Sequence, residues 1–191
     1  MTLLEKKGND RLELSNWRPI TLLNIDYKLL TKTLGQRLKN VLTSLIHNDQ
    51  NGFIPGGNIF FSAHTIRDIL FYCKKENLDL ILLALDYTKA FDSVNFEFIF
   101  KTFEIFNFGE NFKKWIKLIF NGGKSCITNN GNLSETFHIE RSTRQGDPIS
   151  PLIFILGLEI LFITLRSDEN IKGIKMEKNE LKLTAYADDE G

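Results

Sequence analysis

Apolar positions recur at helical spacing along residues 26–46, where Leu29, Leu30, Leu34, Leu38, Val41, Leu42, Leu45 and Ile46 fall mostly three or four apart. The pattern predicts an amphipathic helix with Asp26 at its N-cap. Ala63, Ile66, Ile69, Leu70 and Cys73 mark a second helix. Between the two, Gln50-Asn51-Gly52-Phe53-Ile54-Pro55-Gly56-Gly57 breaks the period and predicts a loop. Ahead of them, residues 3–6 read as a short strand, followed by a turn at Gly8-Asn9-Asp10 and a loop through Asn16-Trp17-Arg18-Pro19-Ile20. Residues 79–86, DLILLALD, form an unbroken apolar run between two carboxylates, the pattern of a strand buried on both faces. Residues 95–106 and 111–120 read as helices. Residues 124–128 and 133–141 flank Asn129-Asn130-Gly131, a hairpin signal. Asp147-Pro148 sets an N-cap residue before a proline at the first helical position, so a helix is expected over 148–166. Residues 172–176 and 181–185 read as two strands joined by a polar turn, the second running into Tyr186-Ala187-Asp188-Asp189.

With 191 residues and no internal repeat or low-complexity linker, the chain is expected to form one domain or two lobes of one. Its 42% hydrophobic and 25% charged residues exclude a disordered or fibrous chain. No apolar run reaches 18 residues without a charge, so no membrane span is expected. The start, Met1-Thr2-Leu3-Leu4-Glu5-Lys6-Lys7, is charged too early for a secretory signal. Cys73 and Cys126 form no CxxC pair, so neither a zinc site nor a disulfide framework is expected, and the expected location is intracellular. Net charge is zero, which is not the footprint of a basic nucleic-acid binder. The distribution is uneven. Residues 1–50 hold eight Lys/Arg and five Asp/Glu, whereas residues 151–191 hold five and eight. Such a chain can hold polyanion at one end and cations at the other, or merely carry scattered solvated charges. Sixteen Phe and seventeen Asn are high counts; the Phe suit a core.

Two features carry chemistry together. Asp86 ends the most apolar segment, and Asp188-Asp189 ends another apolar stretch. A carboxylate closing a buried strand is costly unless its charge is matched, and adjacent Asp side chains repel unless a cation neutralises them. Were the two strands neighbours, three carboxylates would converge on one sheet edge. Such a set suits hard cations with oxygen ligands, Mg²⁺ above all. Two such ions can activate a hydroxyl and steady a leaving pyrophosphate, which is the chemistry of nucleotidyl transfer. Each feature alone reads equally as a turn or cap.

The blocks NWRPITLLN at 16–24, QNGFIPG at 50–56, LALDYTKAFDSVN at 83–95, RQGDPISPLIF at 144–154 and AYADD at 185–189 stand in an order that resembles the reverse transcriptase domain of non-LTR retrotransposons, and more distantly the group II intron reverse transcriptases. The resemblance covers nearly the whole chain. It implies an α+β fold of the right-hand polymerase type, with a small antiparallel palm sheet packed on helices. Residues 1–80 would be fingers and residues 81–191 palm, truncated after the YADD turn and without a thumb. It implies RNA-directed DNA polymerase activity with two Mg²⁺ ions (or Mn²⁺), an RNA template, a DNA primer and dNTPs as partners, and no membrane. Asp86, Asp188 and Asp189 become the catalytic, metal-binding carboxylates, with the backbone carbonyl of Tyr87 as a further ligand. Phe91 becomes the aromatic that excludes a ribose 2′-hydroxyl, although Phe is also an ordinary core residue. Gln145 and Gly146 open the nucleotide-pocket block. Arg18 and Lys28 become candidate triphosphate contacts, Lys28 reading equally as a solvated helix-face residue.

The other polar residues read plainly. Asp92 suits a helix cap, His47, His64 and His138 show no ligand spacing, and Lys74-Lys75 and Lys113-Lys114 suit solvated faces. The chain departs from the family pattern at Gly57, where Arg is usual, and at Ser142, where Gly is usual. Nothing of the expected closing strand follows Glu190-Gly191, so the chain as given is expected to have little polymerase activity by itself. The rival expectations are an RNA-dependent RNA polymerase palm, against which Phe91 argues, and a non-catalytic remnant or RNA-binding module.

Overall fold

The helical periods fold close to where the pattern puts them. The computed structural model describes residues 1–5, 10, 12–13, 16–87, 89–176 and 179–187. Its helices are α1 (Ile25–Leu45), α2 (Ile59–Glu76), α3 (Ala90–Ser93), α4 (Phe96–Ile105), α5 (Glu110–Phe120) and α6 (Ser150–Ser167). Asn58 and Asn95 cap α2 and α4, their side-chain oxygens accepting from the N–H groups of Phe60 and Glu97. At the far end of α2, Asn77 takes the left-handed conformation and returns its N–H to Cys73. Asp26 does not cap α1. It lies within the first turn, where a carboxylate still favours the helix dipole. Helix α6 starts at Ser150 instead of Pro148, because Pro148 and Ile149 form a separate turn. Asp147 caps that turn, its Oδ1 accepting from Ile149 N–H and its carbonyl from Ser150 N–H.

The strands are β1 (Thr2–Glu5), β2 (Trp17–Ile20), β3 (Lys124–Ser125), β4 (Thr128–Asn129), β5 (Asn132–Leu133), β6 (Phe137–His138), β7 (Ile174–Met176) and β8 (Asn179–Leu181). The fold class is α+β. Contacts divide the chain into two units, residues 1–37 with 91–154, and residues 38–90 with 155–191. Each is assembled from two stretches, so this partition and the expected fingers–palm boundary at 80/81 divide the chain by different criteria.

The first unit holds a four-stranded sheet ordered β2-β1-β4-β5. Residues 16–20, expected as a loop, largely form strand β2, with Leu3 opposite Pro19. Proline obscures a strand in sequence but is tolerated here because β2 is an edge. Strands β4 and β5 meet across Asn130-Gly131, with φ of 49° and 80°, as expected of an Asn-Gly hairpin. Strands β3 and β6 continue the arms of that hairpin. The core comprises Leu34, Ile99, Phe103, Ile116, Ile119, Phe120, Ile149 and the start of α6. Phe103 packs edge-on to Phe108, and Phe120 against Phe96. The abundant Phe residues are thus partly core, as expected.

The second unit is built on Leu38, Leu42 and Ile46, a stripe at four-residue spacing, with Cys73, Ile155, Leu156, Leu158 and Phe162. Strands β7 and β8 form a hairpin, and β8 starts two residues before the expected 181. Ala185 lies beyond it and makes an isolated parallel bridge with Gln50. The expected strand over 79–86 is not formed among the described residues. Residues 78–87 have no ladder partner, and Ile81 is 94% exposed. An apolar run becomes a buried strand only when hydrogen-bonded neighbours flank it. Helix α6 is long and apolar enough to cross a membrane, but half of that span is buried within the structure, and it carries Glu159 and Arg166. Both traits suit a core helix.

Candidate active site

Asp86 lies near the end of the segment 78–87, with its side chain exposed. Tyr87 beside it is half-buried, and burial pushes its hydroxyl up from the ordinary phenol value. Asp188 and Asp189 lie outside the described residues, as does Thr88 between Tyr87 and Lys89. Among the described residues no three His, Cys, Asp or Glu side chains gather as a metal site. The chain is described up to Ala187, the residue before the Asp pair.

The QNG block packs against Ala187. Backbone bonds of 2.8 Å run from Ala185 N–H to Asp49 O and from Asn51 N–H to Ala185 O. Gln50 is 3% exposed. Its Oε1 accepts from Gly52 N–H at 2.7 Å and from Ala187 N–H at 3.0 Å. Asn51 Nδ2 donates to Ser62 Oγ at 3.0 Å, and that hydroxyl reaches Ala185 O at 3.4 Å. A Cβ on Gly52 would fall inside 3.0 Å of Ala187 backbone atoms, so the close approach requires glycine. Gly57 also admits no side chain in this backbone, because a Cβ there would fall inside 3.0 Å of the Asn51 carbonyl. The departure from the usual Arg is therefore built into the loop conformation.

Behind this loop, Arg166 NH1 grips both oxygens of Asp49 at 2.9 and 2.8 Å, and Arg166 NH2 pairs with Glu159. His47 Nδ1 lies 3.0 Å from Asp49. Glu159 is 2% exposed, and its Oε2 has no partner among the described residues. Burial pushes its carboxyl above the usual range, with Arg166 opposing and Asp49 reinforcing the rise.

Phe91 belongs to the first unit. Its ring stacks on Phe154 with centroids 4.8 Å apart. Its carbonyl accepts from Thr143 N–H at 2.7 Å and from Thr143 Oγ1 at 3.1 Å. Asp92 lies in the first turn of α3 and accepts from Ser142 Oγ at 3.2 Å. Ser142 adopts φ 116°, a region that favours glycine. The backbone therefore keeps a glycine-type conformation although the side chain is serine.

Beyond Ser142 the RQGD block is tied to α1. The Tyr27 hydroxyl donates to Asp147 Oδ2 at 2.8 Å and accepts from the Arg144 guanidinium, which also lies 5.1 Å from the Tyr27 ring centre. Burial, reinforced by the Asp147 charge and opposed by Arg144, pushes the Tyr27 hydroxyl up, so it stays a protonated donor. Gln145 is half-buried in the turn between these anchors, and Gly146 has φ 90°. Arg18 on β2 and Lys28 on α1 are exposed. Sequence reasoning names the Gln145-Gly146 block but misses Tyr27, Gln50, Glu159 and Arg166. Tyr27, Gln50 and Arg166 meet partners 120, 137 and 117 residues away, which no local spacing signals, whereas Glu159 and Arg166 stand seven apart on α6.

These blocks stand on an α+β frame. The family model described as reverse transcriptase (RNA-dependent DNA polymerase) matches residues 4–190, and the chain belongs to that family. Among its relatives is the Transposon TX1 uncharacterized 149 kDa protein of Xenopus laevis, 36% identical over 191 residues, covering 99% of this chain and 14% of that protein. The Retrovirus-related Pol polyprotein from type-2 retrotransposable element R2DM of Drosophila melanogaster is 30% identical over 91% of this chain and 16% of its own length. The corresponding polyprotein from type-1 retrotransposable element R2 of Popillia japonica is 28% identical over 98% and 26%. These relatives make the chain a reverse transcriptase domain of the non-LTR retrotransposon kind. It spans about a quarter or less of their lengths.

Proposed function

We propose that this chain is the polymerising segment of an RNA-directed DNA polymerase that adds dNTPs to the 3′-hydroxyl of a DNA primer paired with an RNA template, inside the cell and away from membranes. The observation that carries the reading is the ordered set of five blocks within one family match over residues 4–190. In this reading residues 1–80 are the fingers and 81–191 the palm. Asp86, Asp188, Asp189 and the Tyr87 carbonyl would hold two Mg²⁺ ions, or Mn²⁺. All these donors are oxygens, the set a hard divalent cation takes. Such ions, when bound, lower the pKa of the attacking hydroxyl and neutralise the departing pyrophosphate.

The chain's own side chains do the positioning. Phe91 stands against the sugar and excludes the 2′-hydroxyl; its stacking on Phe154 supports this, because a braced ring cannot swing aside. Gln145 and Gly146 line the nucleotide pocket, and the Tyr27–Asp147 anchor supports a fixed turn there. Arg18 and Lys28 meet the triphosphate with exposed cationic groups. Contacts to template and primer run to phosphate and sugar, since a polymerase must accept any sequence.

The test is primer extension on an RNA template with dNTPs, by the full-length natural protein that carries this domain. Asp86→Asn and Asp188→Asn should each abolish extension. Extension that survives either substitution would overturn the site. Use of NTPs in preference to dNTPs would overturn the choice of product and favour an RNA polymerase.

A further inference from the structure

The last described residue before the Asp pair is held by a side chain to which no role has been assigned. Gln50 is almost wholly buried, and while its Nε2 has no partner among the described residues, its carbonyl oxygen offsets its lost hydration. Its Oε1 finds two backbone donors, Gly52 N–H on its own loop and Ala187 N–H across the unit. Ala187 has φ 44°, in the left-handed region that alanine seldom occupies. A peptide in that conformation is stable only when its surroundings over-determine it. Here they do. The Asp49–Ala185 and Asn51–Ala185 backbone bonds fix the segment leading in, Ser62 reaches the Ala185 carbonyl, and a Cβ on Gly52 would fall within 3.0 Å of Ala187. The Ala187 N–H is the last hydrogen-bonded group described before Asp188.

We infer that Gln50 is a positioning residue for the carboxylates of Asp188 and Asp189, acting through the Ala187 peptide. The inference rests on the reading of those two residues as metal ligands. Its physical core is the double acceptor. One carbonyl oxygen ties the loop apex and the Tyr186–Ala187 peptide, the one before that leading into Asp188, to the same point. Gly52 is the second half of the device, because any larger residue would push Ala187 away. Asn51 and Ser62 complete the frame from the other side. A ligand displaced by about 1 Å costs on the order of 100-fold in a reaction that depends on geometry.

The experiment needs no polymerase activity. Three variants of the 191-residue chain are compared with the parent: Gln50→Leu, which removes the acceptor, Gln50→Glu, which keeps it, and Asp188→Asn. Two quantities are read, amide hydrogen exchange at Gly52 and Ala187, and the affinity for Mn²⁺ alone by electron paramagnetic resonance. Gln50→Leu should raise exchange at both amides about tenfold, the loss of one hydrogen bond, relative to the amides of α4 and α5. It should weaken Mn²⁺ binding by a similar factor. Gln50→Glu should restore the protection. Asp188→Asn should weaken Mn²⁺ binding while leaving Ala187 protected. Unchanged exchange at Ala187 in a folded Gln50→Leu chain would overturn the proposal, as would lost protection with undiminished Mn²⁺ affinity. Should Gln50→Leu fail to fold, Gln50→Asn, which withdraws the acceptor by one methylene, is read in the same way. Undiminished Mn²⁺ affinity in Asp188→Asn would defeat the metal-ligand reading instead, and the exchange results would stand apart from that failure.

Discussion

Ser142 holds a glycine-type conformation, φ 116°, at the junction that ties the RQGD block to Phe91. A non-glycine residue in so sparsely populated a region costs about 1–3 kcal/mol. The serine hydroxyl offsets part of this through its 3.2 Å bond to Asp92, worth about 1 kcal/mol net. Ser142→Ala keeps the strain and loses the bond, so it should lower stability by about 1 kcal/mol. Ser142→Gly loses the same bond and removes the strain, but gains about 0.5–1 kcal/mol of unfolded-state freedom. The two variants should therefore differ by up to about 2.5 kcal/mol in favour of glycine. At an ordinary position the order is reversed, with alanine ahead by about 0.5–1 kcal/mol. The inverted sign is the diagnostic. Urea denaturation reads it as a higher midpoint for the glycine variant at equal slope. An alanine variant more stable than the glycine variant would refute the strain at Ser142.

Tyr27→Phe should leave buried Asp147 and half-buried Arg144 short of a partner and cost about 1–3 kcal/mol in urea denaturation, whereas a cost near zero would mean that the hydroxyl only decorates the turn. Glu159 has a carboxyl raised by burial, so the folded chain binds its proton more tightly than the unfolded chain does. Its stabilising contribution is present below the ordinary carboxylate value and is lost as pH rises from there through the raised folded value. Glu159→Gln should flatten the fall in urea midpoint across that window, and an unchanged slope would assign the fall to other groups. Phe91→Val, in the full-length natural protein, should raise ribonucleotide use relative to dNTP use by more than about tenfold, because relief of a steric clash exceeds the effect of one methylene. An unchanged ratio in primer extension would reassign Phe91 to packing against Phe154.

Helices α2, α4 and α5 are legible because their signals are local. Asparagine caps, three- and four-residue apolar spacing and a left-handed Asn77 all act within a few residues. The Asn130-Gly131 hairpin is legible for the same reason. Strand β2 is not, because Pro19 argues against a strand until its place at a sheet edge is known. The run at 79–86 misleads in the opposite direction. Its composition suits burial, but composition does not supply a hydrogen-bonding neighbour, and among the described residues none pairs with it. Of the candidate site, the residue types are legible from the ordered blocks. The bonds that hold those blocks are not.

Two of the blocks show why. QNGFIPG and RQGDP are rich in the residues that mark turns, and glycine and proline read as points of freedom. Each nonetheless contains a buried polar side chain that accepts two hydrogen bonds, Gln50 from Gly52 and Ala187, Asp147 from Ile149 and Tyr27. In both cases one donor is a neighbour and the other lies more than a hundred residues away. A helix or strand secures its backbone with its own ladder. A turn lacks that ladder and must borrow an acceptor. The side chain that supplies it fixes the turn's shape and its place against a distant element at once. Glycine then serves close approach more than flexibility: at Gly52 it admits the Ala187 backbone, which a Cβ would push away. A polar residue inside a turn-rich block, with no obvious surface role, is therefore the feature in such sequences that most repays substitution.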